Sequence, residues 1–548
     1  MPKATHIYHN GVILTMDSRA SIVTCLAVAN DTILAVGSET EVAPFADEET
    51  VLINLQGQFM MPGFYDCHSH FMRAGMYAEF YLDVNAHPIG SVREMNDIRR
   101  LVRDRAVTLS PGSWILCAGY DDTAMQEARH FTLAELDAMA PDHPLFLRHI
   151  SGHLALCNSK AFAAAGITGE TLNPPGGLFR HDADGHLTGL VEEPAAMEML
   201  LEAAPAMTDE KWRTSVIRAT NDYIAKGVTT AHDGGVTTSM WKNYMAAHKE
   251  GLLKNRVQLL PRHGGFDFRL APTTKCGTPL TKDNQLTLGA VKLFQDGSIQ
   301  GYTGYLSTPY HKVIENCFPD GPLWRGYPIY PLHEVVDLVT AYHRAGWQVA
   351  VHGNGDNGIG DILTAFEEAQ KAYPRADARH IIIHCQTVRE DQLDSISRLG
   401  AVPSFFVVHT YYWGDRHRDI FLGEERAARI NPLHSALKRR IRFTNHNDTA
   451  VTPMDPILSV WSAVTRKTSS GKTLGQQQRI PVLDALRSVT TWGAYQFHEE
   501  HLKGSLEPGK LADMVVLDKN PLEIEPESIR DICVLATIVG NNLVYGSI

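Results

Sequence analysis

Eight short apolar runs recur through the middle of this 548-residue chain, and several of them end in a polar residue. Helix-like segments, such as residues 332–346 and 389–400, separate several runs, and Gly346 and Gly400 stand where a helix C-cap is expected. This alternation predicts an α/β fold, a (β/α)₈ TIM-like barrel, and apolar strands suit a parallel sheet buried on both faces. The runs are FMMPGFYDCHSH (59–70), GVTTAHD (227–233), RVQLLPRH (256–263), GAVKLFQD (289–296), WQVAVHG (347–353), HIIIHC (380–385), AVPSFFVVH (401–409) and RIRFTNHND (440–448).

Both ends of the chain show a different pattern, of short strands and tight turns. Residues 6–55 contain β-rich runs separated by Asn-Gly, Asn-Asp and Gly-Ser turn signals, and residues 511–546 are similar. Because a short sheet needs a partner face, we expect residues 1–57 and 499–548 to form one small β-sandwich domain around a barrel at 58–498. A simple barrel takes about 250 residues. The stretch 71–207, which has strand-like runs of its own, therefore predicts an inserted subdomain over the barrel mouth.

The composition fits a soluble globular protein, with 44 % hydrophobic and 20 % charged residues. The net charge of −12 argues against a nucleic-acid surface. The eight cysteines form no C-x-x-C pair, which favours free thiols, and the sequence shows neither a secretion signal nor a run of about 18 apolar residues. We therefore expect a cytoplasmic protein that acts on a small molecule, with no nucleic-acid or membrane partner.

Side chains that can bind a metal stand at the ends of five predicted strands. His68 and His70 face the same way in an extended strand, because side chains i and i+2 share one side. Singly, such residues have plainer explanations, as hydrogen-bonded loop histidines or, for Asp448, as a turn former. Lys292 lies within an apolar strand, where a buried lysine without a partner is costly. Because barrel active sites lie at the C-terminal strand ends, we expect one metal site at this rim. Its members are His68, His70, Lys292, His352, His384 and Asp448.

The whole pattern resembles the amidohydrolase superfamily of metal-dependent hydrolases, in particular its YtcJ-like branch, amidohydrolase family 3. Within that branch it is similar to the N-substituted formamide deformylases. One departure is the segment TNHND (444–448), where the family usually has small residues such as G-S-D; His446 is unexpected there and could alter the pocket or offer another nitrogen. The resemblance rests on H-x-H and on HISGHLALCNS (149–159), GGLFRHDADGHLTGLVEE (176–193), KGVTTAHDGG (226–235), VKLFQDGSIQG (291–301), VAVHGNGD (349–356), IIIHCQ (381–386) and GSLEPGKLADMVVLDKNPL (504–522).

The resemblance implies a metal centre of one or two divalent ions. His68, His70 and Asp448 would hold one metal, and His352 and His384 a second. Lys292 would bridge the two as an N-carboxylated side chain, although a single metal with Lys292 as an unbridged ligand is the alternative. Imidazole nitrogens and carboxylate oxygens suit zinc, and Fe, Mn or Co are also compatible with such a site.

The activity that the resemblance implies is hydrolysis of a carbon–nitrogen bond. A metal-activated hydroxide would attack the substrate carbonyl while Asp448, as general base, passes a proton to the leaving amine. The preferred substrate is an N-substituted formamide or a related N-acyl amine. The alternatives are hydrolysis of an ester, lactam or cyclic urea, and deamination. A metal-free scaffold protein is disfavoured because every ligand position is filled, and metal storage is disfavoured because these residues end buried strands.

Five further residues are candidate substrate contacts. His153, in the inserted stretch, would reach the substrate, and the alternative is a structural hydrogen bond that fixes its loop. Asp296 and Gln300 follow Lys292 and would line the pocket, although Asp296 could equally cap its loop. The Gly/Pro-rich segment 311–326 is interpreted as a loop over the barrel mouth, and the alternative is a packed surface loop. It carries the aromatic candidates Phe318 and Trp324. Proteins of this family are often dimers, so the resemblance also implies a homodimer, which no sequence feature shows.

Overall fold

The structure is a computed structural model that describes residues 2–313 and 321–548. The N-terminal segment is a series of short strands joined by tight turns, with one short helix. Several of its turns place Asn residues in the left-handed region, as at Asn10 and Asn30. The elements are β1 (His6–His9), β2 (Val12–Leu14), β3 (Ile22–Val23), β4 (Cys25–Ala29), β5 (Thr32–Gly37), α1 (Glu39–Val42), β6 (Val51–Asn54), β7 (Phe59–Pro62) and β8 (Phe64–Tyr65).

The next stretch contains a sheet of its own. Six strands form it, and its apolar residues pack into clusters separate from the main core. The elements are α2 (Phe71–Phe80), β9 (Leu82–Asp83), α3 (Met95–Ala106), β10 (Ile115–Tyr120), α4 (Leu133–Met139), β11 (Leu145–His149), β12 (Leu154–Cys157), α5 (Ser159–Ala164), β13 (Leu178–His181), β14 (Leu187–Glu192), α6 (Glu193–Leu201) and α7 (Asp209–Ile224). The strand order is β13-β14-β12-β11-β10-β9. Helix α2 packs mainly against α7, where Phe71 contacts Tyr223 in the main core.

The middle of the chain alternates strands and helices, which confirms the predicted α/β class. The strands are β15 (Val228–Val236), β16 (Arg256–Pro261), β17 (Leu286–Leu288), β18 (Val291–Phe294), β19 (Val349–Gly353), β20 (Ile381–His384), β21 (Val402–Phe405) and β22 (Thr444–Asn445). The helices are α8 (Thr238–Lys249), α9 (Leu332–Arg344), α10 (Asp356–Ala372), α11 (Glu390–Leu399), α12 (His409–Arg416), α13 (Gly423–Ala427), α14 (Leu433–Lys438), α15 (Pro456–Thr465), α16 (Val482–Ser488) and α17 (Thr491–Gln496).

The strands of this middle region pair in parallel, and each of the eight predicted runs contains a strand. They form two arcs, β17-β16-β15-β8 and β18-β19-β20-β21-β22. A parallel bridge between Arg262 and Lys292 joins the arcs, and the backbone N–H of Asp448 donates to the His68 carbonyl at 3.2 Å between the last and first segments. Helix α11 ends where the sequence predicts, at Gly400 in the left-handed conformation (φ 62°). The carboxyl ends of these parallel strands therefore share one edge.

Strands from both ends of the chain share a sheet. The last elements are β23 (Met514–Leu517), β24 (Val534–Val539) and β25 (Asn542–Gly546). They extend a six-stranded sheet of order β25-β24-β23-β7-β2-β3, which packs with the sheet β5-β4-β1-β6. A common core contains Ile13, Leu26, Met60, Met514 and Ile538. A composite domain requires strands from both ends of the chain to share a sheet, and they do so here. The bounds 1–57 and 499–548 remain predictions. No helix in the described part of the chain is both long and apolar enough to span a membrane.

Candidate metal centre

Ligand atoms from three separate segments meet at the carboxyl edge of the parallel strands. The Nε2 atoms of His68 and His70 each lie 3.5 Å from Oδ1 of Asp448, and Nε2 of His384 lies 3.9 Å from its Oδ2. One ligand atom each of His68, His384 and Asp448 fall within 4.8 Å of one another. Residues far apart along the chain thus offer two nitrogens and an oxygen to one point.

Several polar atoms at this point are buried and have no hydrogen-bond partner among the described residues. They are both ring nitrogens of His68, Oδ1 of Asp448 and Nζ of Lys292. A buried polar atom without a partner carries a large desolvation cost, so such groups are normally paired or bind an ion. Imidazole nitrogen and carboxylate oxygen are the donors that zinc and related dications prefer. The side chains therefore fit a divalent metal ion.

The tautomer of His70 is fixed by its backbone contact. Its Nδ1–H donates to the carbonyl of Gly234 at 2.7 Å, since a carbonyl can only accept. The Nε2 atom is then the unprotonated nitrogen, and it faces Asp448. A histidine that ligates a metal commonly has its other ring nitrogen bonded in this way.

Lys292 lies on β18, and its ammonium position stands 4.7 Å from the centre of the Phe294 ring. Burial lowers the pKa of Lys292 to about 7, although the carboxylate of Asp448 opposes this shift. Burial likewise raises the pKa of Asp448 to about 6, and Lys292 opposes that shift. Burial therefore disfavours the charged form of both groups, and each partly offsets this effect for the other.

His352 stands beside His384, with ring centres 4.5 Å apart, and Asp296 lies behind it. Oδ1 of Asp296 is 3.2 Å from Nδ1 of His352, and its two oxygens accept the backbone N–H groups of Asn354, Gly355 and Tyr305. Burial raises the pKa of Asp296 to about 7. We predicted that Asp296 lines the pocket or caps its loop, and these contacts place it in the loop, outside the cavity wall.

His153 reaches the same cavity from the separate sheet. Its Nδ1 lies 2.6 Å from Oε2 of Glu193, and its ring centre is 4.8 Å from that of His352. Burial lowers the pKa of His153, but the Glu193 carboxylate outweighs that effect and leaves the pKa above its usual value. Glu193 closes the quoted run GGLFRHDADGHLTGLVEE (176–193), and its contact with His153 orients the imidazole.

The remaining predicted substrate contacts lie in different places. Gln300 lines the cavity, and its Oε1 is buried without a partner among the described residues. Trp324 is buried away from the cavity wall, and its Nε1–H donates to the carbonyl of Tyr302 at 2.7 Å. Phe318 lies outside the described residues.

His446 lies directly behind a candidate ligand. Its Nε2 is 3.1 Å from Nδ1 of His384, and its Nδ1 is 2.9 Å from Oγ of Ser404. It is fully buried and stands apart from the residues that line the cavity. The unexpected histidine of TNHND therefore contacts the metal centre through His384.

Comparison with known proteins identifies the family. The sequence profile of the amidohydrolase family matches residues 51–545. This chain belongs to the amidohydrolase family. The putative amidohydrolase YtcJ of Bacillus subtilis (strain 168) is 28 % identical over 554 residues, which cover 98 % of this chain and 99 % of the relative. The N-substituted formamide deformylase of Arthrobacter pascens is 28 % identical over 549 residues, covering 98 % of this chain and 97 % of that protein.

The structure is similar to that of an uncharacterized metal-dependent hydrolase from Pyrococcus furiosus. The identity is 26 %, the match covers 94 % of this chain and 100 % of that one, and the TM-score is 0.70. Together these similarities confirm the predicted membership of amidohydrolase family 3, in its YtcJ-like branch. The chain is accordingly a hydrolase of a metal-dependent amidohydrolase family.

In this amidohydrolase all six predicted ligands line one cavity that opens to solvent. Several residues that the sequence did not single out also line it, among them Arg73, Arg148 and His409. Arg73 and Arg148 stand within a helix and a strand whose local patterns are ordinary. His409 closes the predicted seventh run, but helix α12 begins at it, so its side chain joins the cavity from a helix N-terminus.

Proposed function

We propose that this protein hydrolyses a carbon–nitrogen amide bond in a metal-dependent reaction, with an N-substituted formamide or related N-acyl amine as substrate. The observation that carries the proposal is the set of buried atoms of His68, Lys292 and Asp448 that have no hydrogen-bond partner among the described residues, beside His70 and His384. The similarity to an N-substituted formamide deformylase supports the choice of bond. Esters, lactams, cyclic ureas and deamination remain alternatives, because the same ligands would serve them.

His68, His70 and Asp448 would hold one ion, and His352 and His384 a second, with carboxylated Lys292 as a ligand common to both, or as an unbridged ligand of a single ion, and with zinc the preferred metal. When bound, a divalent metal polarises a carbonyl and lowers the pKa of water, which makes water nucleophilic at neutral pH. His352 has both ring nitrogens in contact with protein atoms, Nδ1 with Asp296 and Nε2 with Nδ2 of Asn354 at 3.3 Å. A second ion at His352 would therefore replace the Asn354 contact.

Lys292 is suited to carboxylation. With a pKa of about 7, a large part of its side chain is neutral amine at neutral pH, and the neutral amine is the form that reacts with carbon dioxide. Formation of the N–C bond releases one proton and gives a carbamate anion. That anion would replace an unpartnered buried amine by an oxygen donor that neutralises metal charge.

Asp448 is the proposed general base, which transfers a proton from the attacking water to the leaving nitrogen. Its Oδ1 has no partner among the described residues and faces the cavity, and its pKa of about 6 lies near the operating pH that favours a general base. The carboxylate would take a proton from the attacking water and deliver it to the leaving nitrogen. His153, held by Glu193, would donate from Nε2 to the substrate carbonyl oxygen and stabilise the charge that develops there.

The cavity leaves room for the substituent on the amide nitrogen. A groove lined by Tyr81, Leu82 and Met454 shares Tyr77 and Val451 with the cavity wall and leads outward from it. An N-aryl or N-alkyl group would lie along these apolar side chains. We also propose that the two arcs of parallel strands close into a (β/α)₈ barrel, because the bridges at Arg262 and Asp448 join both of their edges.

The test combines metal analysis with three benzyl substrates that differ in the bond or in the acyl group. Zinc-loaded protein is assayed with N-benzylformamide, N-acetylbenzylamine and benzyl formate. We expect hydrolysis of an amide that is lost in Asp448→Asn, whereas Arg213→Gln, which breaks an exposed ion pair with Glu250, serves as the matched control. Hydrolysis of benzyl formate with both amides untouched, or equal activity after complete metal removal, would contradict the proposal.

A further inference from the structure

Two arginines line the same cavity as the metal centre. Arg73 lies on α2 and Arg148 on β11, and both form part of the wall that carries Tyr77. Asp448 is the one carboxylate among the described residues that line this cavity, and it belongs to the metal centre. The cavity therefore carries two cationic groups that the metal chemistry does not use.

Arg148 is held in place by aromatic rings, without a charged partner in the described part of the chain. Its guanidinium carbon lies 5.7 Å from the centre of the Tyr77 ring and 5.4 Å from that of Phe146. Among the described residues its Nη1 makes a single long contact, of 3.4 Å with the Gly152 carbonyl, and its buried Nε has no hydrogen-bond partner there. A buried charged donor left unpaired costs free energy that a bound anion would recover.

Arg73 extends this wall towards the metal centre. Helix α2 begins directly after His70, so Arg73 lies about 4.5 Å along the helix axis from that ligand. Residues four apart share one face of a helix, so Arg73 and Tyr77 lie on the same face of α2, and Arg148 contacts the Tyr77 ring. Both arginines thus line the part of the cavity that contains Tyr77.

We propose that the substrate carries a carboxylate that Arg73 and Arg148 bind, which makes N-formyl or N-acyl amino acids the substrate class. This inference rests on the proposed function and narrows it. In such a molecule the carboxylate is only a few bonds from the scissile carbonyl, which agrees with the separation of Arg73 from His70. A planar guanidinium matches a carboxylate through two parallel hydrogen bonds. A neutral formamide would leave the Arg148 guanidinium without a charged partner among the described residues.

The test compares two substrates that differ by the carboxylate alone. Zinc-loaded protein is assayed with N-formylphenylalanine, as each enantiomer, and with N-formyl-2-phenylethylamine. We expect kcat/KM for one enantiomer to exceed that for the neutral compound by more than about tenfold. Arg148→Gln and Arg73→Gln should each lower this ratio by about tenfold, mainly by raising KM for the anion. Arg148→Lys, which keeps the charge but loses the planar fork, should give an intermediate ratio.

Arg213→Gln is the control, because Arg213 is exposed and pairs with Glu250, and it should leave the ratio unchanged. A wild-type ratio near one, or an unchanged ratio in both arginine variants, would overturn the inference. A preference for the phosphonate analogue of N-formylphenylalanine would overturn the carboxylate assignment.

Failure of the proposed function would look different, since neither substrate would then be hydrolysed. In that case the inference is tested by binding, with 3-phenylpropionate and 3-phenylpropanamide as probes in calorimetric titrations of zinc-loaded protein. Tighter binding of the carboxylate that is lost in Arg148→Gln supports a carboxylate site. Equal affinities for the two probes, or a carboxylate affinity that Arg148→Gln leaves intact, would overturn it.

Discussion

The Nε2 atom of His446 lies 3.1 Å from Nδ1 of His384, and this contact determines which nitrogen His384 offers to the cavity. For Nε2 of His384 to be free for a metal, its Nδ1 must carry the proton and donate to His446. His446 then carries its own proton on Nδ1 and donates to Oγ of Ser404 at 2.9 Å. The residue that departs from the family pattern thus holds a ligand in its binding tautomer.

We predict that His446→Ala weakens zinc binding. Loss of a partner behind a metal-bound histidine typically costs about 10- to 100-fold in affinity, because the ring is no longer oriented. Competition with a chromophoric chelator measures the dissociation constant directly. His446→Gln, whose amide oxygen can accept from His384, should recover part of the affinity.

A second pair of buried histidines supplies the control. His343 and His380 make a similar contact, with Nδ1 and Nε2 2.8 Å apart, among residues that do not line the cavity. His343→Ala should lower stability but leave zinc affinity unchanged. Equal zinc affinities of wild type and His446→Ala would contradict the role given to His446.

We predict that Asp513→Ala destabilises the protein strongly. Arg256, on β16, donates to both oxygens of Asp513 at 2.7 and 3.0 Å, and both side chains are buried. This pair connects the parallel sheet with the C-terminal strands. Removing one partner leaves an unpaired buried charge, which costs about 3–5 kcal/mol in the free energy of unfolding.

Urea denaturation monitored by tryptophan fluorescence measures this loss. The exposed pair of Arg213 and Glu250 has similar geometry at 2.7 Å, so Glu250→Ala is the matched control and should cost less than about 1 kcal/mol. Equal losses of unfolding free energy in Asp513→Ala and Glu250→Ala would contradict the idea that burial makes the Arg256 pair more important for stability.

The strands and the ligand-bearing strand ends could be predicted because both depend on local sequence patterns. Continuous apolar runs identify buried parallel strands, and His68, His384 and Asp448 follow such runs directly. Their convergence then follows from the rule that parallel strands end at one edge. The left-handed conformation of Gly400 was predictable for the same reason, because it depends only on the residues next to it in the sequence.

The surroundings of the ligands could not be predicted, because they depend on contacts between distant segments. Asp296 follows β18 like a pocket residue, but its contacts with the loop after β19 place it behind His352. Arg148 has an ordinary position on a strand, and it reaches the cavity only because the separate sheet packs there. His446 stood out in the sequence, whereas its contact with His384 required the structure.

We predict that Glu193→Gln reduces kcat/KM by at least about tenfold while metal content is unchanged. Glu193 holds Nδ1 of His153 at 2.6 Å, which orients the imidazole, and its charge raises the pKa of His153, which favours the protonated form. The glutamine keeps the shape but removes the charge. If Glu193 acts only through His153, the Glu193→Gln/His153→Ala double variant should be no slower than His153→Ala. Additive losses would show that the two residues act separately.

We predict that acid destabilises the protein partly through His417. Burial, reinforced by Arg416, lowers the pKa of His417 from 6.5 to about 3, and Nε2 of its ring accepts from the Gln386 amide at 2.9 Å. The unfolded chain therefore binds a proton below pH 6.5 that the folded protein does not, so stability falls as the pH falls from 6.5 towards 3.

At pH 5 this single group should cost about 2 kcal/mol of the free energy of unfolding relative to pH 7. His417→Gln removes the titrating group, so its stability should fall less than that of wild type between pH 7 and pH 5, whatever its stability at pH 7. Urea denaturation at the two pH values measures the difference. His333→Gln, at an exposed position on α9, should retain the full wild-type dependence. A pH dependence that is the same in wild type and His417→Gln would mean that His417 is not held neutral by the fold.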